Sequence, residues 1–244
     1  MKHLLLLIPF FILNPAFSQF KDEATSNAEM PCFKDYKWGM SSSELKQFII
    51  SKGINILEDN AIRARKIDEL ERQLPDISSQ LLEQTMRVEI SGLKRELDSD
   101  YEEIRTDEKV ANEDVFASFT VNKKYGLYQL DLEFKKSISL LPTQFDIKSS
   151  IMQSLDEKYG GHSTSPWEGR KQYQWMYYRP HQLFATRALT IVLSDQAPVN
   201  ENELFPKTVL QYFNLEINDV ITKEANAKSM KESEEAKKEL LKTL

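Results

Sequence analysis

The sequence predicts an α+β protein in which two helix-strand-strand units form an antiparallel sheet with helices on one face. An inserted helical hairpin or arm and a C-terminal helical tail complete the predicted fold. Three observations carry this prediction. A helical pattern followed by two alternating strands occurs twice, a long charged segment with helical spacing interrupts the first unit, and the last residues are mostly Lys, Glu and Ala.

Residues 1–18 have the three parts of a secretory signal peptide. A basic start is followed by an apolar stretch that runs to Leu13, and small residues at Ala16 and Ser18 precede Gln19. The chain has no Asn-x-Ser/Thr sequon, which fits a bacterial envelope better than a glycosylating secretory pathway. We therefore expect an exported protein, periplasmic or secreted, whose mature chain begins near Gln19.

The composition limits both the partners and the chemistry. The formal net charge of −6 includes Lys2, so the mature chain is near −7, which argues against nucleic acid or an anionic membrane surface as partner. Cys32 is the only cysteine and cannot form an internal disulfide; it is either a half-buried inert thiol or a site of intermolecular pairing. The mature chain has only His162 and His181, too few ligands for zinc, and a Cys32–His181 dyad has no local support. We expect no cofactor, no metal and no enzymatic activity.

The first unit begins after a flexible leader, residues 19–32. Ser41 and Glu44 have the spacing of a capping box, and Gly53 is a suitable left-handed C-terminal cap, so a short helix is expected over about 42–52. Its strands are expected at 115–122 and 127–134, because apolar residues alternate with polar ones there.

The second unit repeats this order. Thr143 and Asp146 have capping spacing, and Gly160-Gly161 closes a helix with a broad apolar face. A strand around Tyr173–Tyr177 is expected to turn through 179–182 and return as 183–193. Residues 33–57 and 115–221 together make the predicted α+β domain.

The insertion, residues 58–114, has a different composition. It contains seventeen acidic and nine basic residues, and its apolar residues recur at helical spacing. The first series is Leu70, Leu74, Ile77 and Leu81; the second is Met86, Ile90, Leu93, Leu97, Tyr101 and Ile104. We expect an acidic arm of coiled-coil type, with Pro75 starting a helix or kinking one. Its seam packs on the arm itself, on the domain or on a partner.

The chain after the second unit divides into two parts. Residues 204–221 are apolar enough to pack against the domain, whereas the charged tail, residues 222–244, forms either a solvated helix or a largely disordered segment.

Aromatic residues concentrate on the second pair of strands. If they face the helices they are core, the interpretation favoured by how commonly aromatic residues fill strands. If they face outward, the sheet presents an aromatic surface of the kind that binds proteins, since Trp, Tyr and Arg are frequent anchors. The candidate partner-binding residues are Trp167, Tyr173, Trp175, Tyr177 and Arg187 on the sheet, with Leu70 and Leu74 on the arm.

Several short motifs carry a family resemblance. Trp38-Gly39-Met40-Ser41 leads into the first helix, and Lys158-Tyr159-Gly160 ends the second. With the paired strands, these residues resemble bacterial exported proteins that share the tandem helix-plus-sheet architecture of β-lactamase inhibitor protein. The pattern also looks like the small lipoprotein of the outer-membrane barrel-assembly machinery. The resemblance covers about 33–57 and 115–195 and implies a protein-binding role, without mapping any binding residue onto this chain.

The sequence therefore predicts an exported, non-enzymatic protein-binding module of the bacterial periplasm or envelope, of inhibitor or assembly-adaptor type. The alternative is a small-ligand carrier or enzyme with a pocket between sheet and arm. Self-association of the arm is a third expectation. No nucleic acid partner and no membrane span are expected, since no stretch approaches the roughly 20 apolar residues of a spanning helix.

Overall fold

The computed structural model describes residues 30, 32–135, 142–167, 170–180, 185–196 and 207–243. The predicted signal peptide, most of the predicted leader, and His181 lie outside these residues. Within them, none of the helices combines the length and apolar character needed to cross a bilayer.

The described chain forms five α-helices, one short 3-10 turn and one antiparallel sheet of eight strands, which confirms the α+β class and the C-terminal helix. The helices are α1 Ser42–Ser51, α2 Asn60–Gln73, α3 Gln80–Asp98, α4 Pro142–Tyr159 and α5 Leu215–Thr243, and the 3-10 turn is Leu74–Asp76. The strands are β1 Ile56–Glu58, β2 Tyr101–Val110, β3 Glu113–Asn122, β4 Gly126–Phe134, β5 Ser163–Trp167, β6 Arg170–Pro180, β7 Ala185–Gln196 and β8 Lys207–Asn214.

The strand order is β1-β2-β3-β4-β8-β7-β6-β5. Strands β1 to β4 therefore lie side by side in chain order, β5 to β8 do the same from the other edge, and β4 pairs with β8 in the middle. The strands predicted at 115–122 and 127–134 correspond to β3 and β4. Those predicted around Tyr173–Tyr177 and over 183–193 correspond to β6 and β7, with residues 181–184 outside the described residues. The stretch 207–214, which was expected only to pack against the domain, is a central strand.

One face of the sheet carries the main core. Alternate residues of the inner strands point to this face and meet α1 and α4. The core includes Leu45 and Ile49 of α1, Ile151 and Leu155 of α4, and Ile104, Phe119, Leu130, Leu132, Trp175, Ile191 and Leu210 of the sheet. Helix α5 contacts β4, β7 and β8, and none of its apolar residues up to 239 is part of this core.

The helix ends follow the predicted chemistry where the structure describes them. At α1, the Ser41 backbone N–H donates to the Glu44 carboxylate at 2.8 Å and the Glu44 N–H donates to the Ser41 hydroxyl at 3.4 Å, which is the expected capping box. Gly53 has φ +70° and Gly160 has φ +86° after their helices. The side chains of Thr143 and Asp146 lie outside the description, and α4 begins at Pro142.

The predicted bounds of the insertion, 58–114, are wrong at the C-terminal end. Its helical part ends at Asp98, and residues 101–110 form β2. Tyr101 and Ile104 are therefore strand residues. The helical part, residues 60–98, holds eight acidic and seven basic residues, so the arm itself is nearly neutral and most of the acidic excess lies on the strands.

The predicted leader, residues 19–32, is corrected at its end. Met30 and Cys32 are buried in the main core. Burial raises the pKa of the Cys32 thiol to about 12. A buried thiol with a raised pKa is a poor nucleophile, in keeping with an inert cysteine.

Candidate functional site: the helical arm and the C-terminal helix

The arm, α2 and α3, is attached to the sheet through Arg63. This side chain is only 5% exposed at the base of α2. Its Nη1 donates to the Glu103 backbone oxygen at 3.0 Å, and its Nε lies 3.1 Å from carboxylate oxygens of both Glu58 and Glu96. One guanidinium thus joins β1, β2 and both helices of the arm, which fits the planar, multi-donor geometry of arginine.

A second cluster fixes the start of α2 against α1. The Lys46 ammonium lies 2.5 Å from Glu102 and 3.0 Å from Asp59, and the Asn60 N–H donates to Glu102 at 3.0 Å. Asp59 also caps α2 by accepting from the Ile62 N–H at 2.8 Å. Burial would raise the pKa of Glu102, but bonds from Lys46, Ser42 and Asn60 outweigh it and hold that pKa below its ordinary value.

The seam of the arm is covered by its own two helices. Ile67 of α2 and Met86 and Ile90 of α3 are buried outside the main core, and ion pairs Lys66–Glu89 and Lys94–Glu71, both 2.7 Å, bridge the helices. Leu70 and Leu74, two of the predicted partner-binding residues, are half-buried. Both continue the side of α2 on which Ile67 is buried.

The opposite face of α3 exposes two large apolar side chains among polar ones. Leu81 is 77% exposed and Val88 is 69% exposed. The sequence pattern assigned Leu81 to the seam with Leu70, Leu74 and Ile77. The 3-10 turn and the break before α3 change the helical phase, so Leu81 lies on the outer side. Leu81 and Val88 are seven residues apart, which places them on one face of α3. This spacing is the sequence signal for the outward direction of Leu81.

The β3–β4 turn brings the arm and α5 to one end of the molecule. Lys123 Nζ donates to the Leu97 backbone oxygen of α3 at 3.1 Å. Lys124 Nζ lies 2.6 Å from the Glu224 carboxylate of α5, and the Tyr125 hydroxyl donates to the same carboxylate. Three consecutive residues of this turn therefore bind both the arm, through α3, and helix α5.

Helix α5 is solvent-exposed beyond this contact. Every residue from 222 to 239 is exposed, and Met230 is 67% exposed. Of the two alternatives for the tail, the helix is the one observed. Its charged side chains alternate in sign along the helix, a pattern that supports a solvated helix through pairs four residues apart.

Three aromatic residues of β6 pack in or against the core, whereas a fourth, Tyr178, is 37% exposed. Trp175 is 1% exposed, which removes it from any surface available to a partner, and Tyr173 and Tyr177 are half-buried against the same core. The other side of β6 carries Gln172, Gln174 and Met176, and the hydroxyl of the exposed Tyr178 donates to Met176 Sδ at 3.1 Å. Of the two alternatives for the aromatic residues, core or binding surface, Tyr173, Trp175 and Tyr177 follow the first.

Trp175 also belongs to a polar group at the end of α4. Asp156 Oδ1 accepts from Trp175 Nε1 at 2.8 Å and lies 2.9 Å from His162 Nδ1. Burial would raise the pKa of Asp156, but the bonds to His162 and Trp175 outweigh it and lower that pKa. The His162 ring also lies against Tyr173, with centroids 5.4 Å apart. This group positions the core tryptophan.

The remaining sheet candidates are separate from the arm. Arg187 is exposed on β7, where it pairs with Tyr178 of β6. Trp167 ends β5, and its side chain lies outside the description. Among the described residues, no group of three or more His, Cys, Asp or Glu side chains is arranged to hold a metal ion.

No family model matches this chain, and neither a curated protein nor a solved structure is detectably similar to it.

Proposed function

We propose that this chain is an exported, non-enzymatic protein-binding module of the bacterial periplasm or envelope, and that its arm and C-terminal helix carry the contacts. The observation behind the proposal is the exposure of apolar side chains on two helical projections. Leu81 and Val88 on α3 and Met230 on α5 are each at least two-thirds exposed. An amphipathic helix that places its apolar side chains in a partner's groove is a common mode of protein recognition.

The sheet is the weaker candidate for this contact. The aromatic anchors expected on β6 are packed in the core. Among the described sheet residues, the exposed candidates are Tyr101 of β2, Leu57 of β1, Tyr178 of β6 and Arg187 of β7. Interfaces depend on a few desolvated anchors, and a buried tryptophan cannot serve as one without unfolding.

The resemblance to β-lactamase inhibitor protein and to the small barrel-assembly lipoprotein is part of the same proposal. The two meanders that meet at β4 and β8 are compatible with two related helix-and-strand units. An adaptor is preferred here to an inhibitor, because the exposed apolar residues lie on the helical projections.

Affinity capture from an envelope extract of the native host tests the proposal. The bait is the mature chain from Gln19, compared with Leu81→Asp on the arm and Met230→Asp on α5. Ile50→Asp is the matched control, because Ile50 is 64% exposed and lies on α1, which is part of neither projection. A specific partner retained by the control and lost with either variant supports the proposal. Capture that survives both variants, or no partner at all, contradicts it.

A further inference from the structure

The outer face of the sheet, on the side away from α1 and α4, carries a row of polar side chains on four neighbouring strands. We call Arg105, Ser118, Asp131 and Gln211 the central row. Strand pairing places Arg105 opposite Ser118, Ser118 opposite Asp131, and Asp131 opposite Gln211. The residues on either side of each of them along its strand are buried, so the central row projects away from the main core.

The Arg105 guanidinium has no ion-pair partner among the residues that the structure describes. Its Cζ lies 4.4 Å from the centre of the Phe116 ring, and its Nε is buried without a hydrogen-bond acceptor. A buried charged donor that lacks an acceptor is costly, because it loses its hydration without a replacement. The ring therefore holds in place a planar, multi-donor group that is suited to binding a carboxylate.

Asp131 has the complementary property, because no described cation pairs with its carboxylate. Its two oxygens accept from Gln129 Nε2 at 2.9 Å and from Gln211 Nε2 at 3.0 Å. Burial raises the pKa of Asp131 and the nearby Glu103 carboxylate adds to the rise, more than the two amide bonds offset. Neutral groups thus hold a carboxylate in a position where a cation would stabilise its charge.

The charges farther along this face are satisfied within the protein. Three ion pairs lie beyond the central row on the side away from the arm: Lys135–Asp107 at 2.6 Å, Lys207–Glu133 at 2.8 Å and Lys109–Asp114 at 3.4 Å. Arg105 and Asp131 do not pair with each other, because Ser118 separates them and two strand spacings place their Cα atoms about 10 Å apart. The central row therefore presents a cation and an anion that each lack a described partner of opposite charge.

We infer that the central row binds a free α-amino acid, whose carboxylate pairs with Arg105 and whose ammonium pairs with Asp131. An α-amino acid with one hydrogen bond at each end spans about 8 Å, which suits two side chains separated by one strand. A purely anionic ligand would bring its charge toward Asp131 and Glu103, and a simple cation would meet Arg105, so a ligand with both charges is favoured. This site is on the sheet rather than on the helical projections, and it goes beyond the proposed protein contact.

Calorimetry on the purified mature chain tests the inference, and the probes are the common L-α-amino acids, titrated one at a time. At least one should bind, and Arg105→Gln and Asp131→Asn should each weaken that binding at least about tenfold. Arg65→Gln and Asp114→Asn are the matched controls, since Arg65 is an exposed arginine on α2 and Asp114 is an exposed aspartate on the same sheet face. Both controls should bind as wild type does, and thermal unfolding of each variant shows whether it is folded.

Changes to the ligand assign each of its charges to one side chain. The amide of the bound amino acid lacks the carboxylate and the N-acetyl derivative lacks the ammonium, so each should bind wild type at least about tenfold more weakly. Arg105→Gln should bind the parent and the amide equally, and Asp131→Asn should bind the parent and the N-acetyl derivative equally. The comparisons on wild type remain decisive even if a variant does not fold. The inference is overturned if no amino acid binds, if either derivative binds as tightly as its parent, or if either folded variant binds like wild type.

Discussion

Gly126 lies so close to Gly39 that a side chain at Gly126 has no room. A Cβ there would be 2.2 Å from the Gly39 carbonyl oxygen. The two segments are joined on either side by backbone bonds, Gly39 N–H to Leu127 O at 2.9 Å and Leu127 N–H to Met40 O at 2.8 Å. This contact fixes the segment before α1 to the β3–β4 turn, the same turn that holds the arm and α5. The Trp38-Gly39-Met40-Ser41 motif thus joins the start of α1 to this turn.

Gly126→Ala should therefore destabilise the protein by about 3 kcal/mol, because it adds a backbone clash to a conformation at φ +76° that side chains disfavour. Urea unfolding followed by tryptophan fluorescence measures the change. Gly53→Ala is the control that measures only the cost of a side chain at positive φ, since Gly53 has φ +70° and open space around it. Its free energy of unfolding should fall by about 1 kcal/mol. Equal losses in the two variants would show that the close approach costs nothing.

Asp156 should make stability depend on pH through its bonds to Trp175 and His162. A carboxyl whose pKa is lowered by folding contributes stability that is present above its unfolded pKa, about 3.9, and lost as pH falls through the lower folded pKa. Asp156→Asn keeps a neutral acceptor for Trp175 but does not carry the charge. We expect wild type to be more stable than Asp156→Asn at pH 7 and the difference to shrink toward pH 3 in urea titrations. A difference that stays constant over this range would contradict the ionic contribution.

Cys32 should react with thiol reagents only when the protein opens. The thiol is buried and its pKa is raised to about 12, so little thiolate exists at pH 8 in the folded state. Labelling with a chromogenic disulfide at pH 8 should be slow in buffer and rapid in denaturing urea. A native rate close to that of a free thiol would show that the segment around Met30 and Cys32 detaches readily from the core.

Local signals explain which elements could be predicted. The capping box at Ser41 and Glu44 and the alternation along β3 and β4 depend on residues near one another in the chain, and the structure contains them. Strand β2 was missed because its inward positions include Glu102 and Glu108, which a sequence pattern assigns to solvent. Their partners Lys46, Lys34 and Tyr36 are more than fifty residues away.

The candidate site was predictable only in part, for the same reason. The helical arm follows from its apolar spacing, but the phase of α3 depends on how the chain turns between Leu74 and Ser79, so the outward direction of Leu81 could not be inferred. The inward direction of Trp175 depends on pairing of β6 with β7 and on the bond to Asp156, both of which are tertiary contacts. Periodicity identifies a face without identifying what covers it.

Arg63→Ala should release the arm while leaving the sheet folded. It removes a buried cation that binds the Glu103 backbone oxygen and the carboxylates of Glu58 and Glu96. Because both carboxylates are about half exposed, the expected loss is about 1–2 kcal/mol. Because these contacts are at the base of α2, the expected effect is faster amide hydrogen exchange across 60–98, with protection of β3, β4, β7 and β8 unchanged.

Arg65→Ala is the matched control for this experiment, since Arg65 is an exposed arginine two positions along the same helix. Its exchange pattern should equal that of wild type. If Arg63→Ala also leaves the arm protected, the helices are held by their own seam of Ile67, Met86 and Ile90, and Arg63 is not the anchor. If exchange rises equally throughout the sheet, the arm and the domain unfold as one cooperative unit, and the arm is not an independent projection.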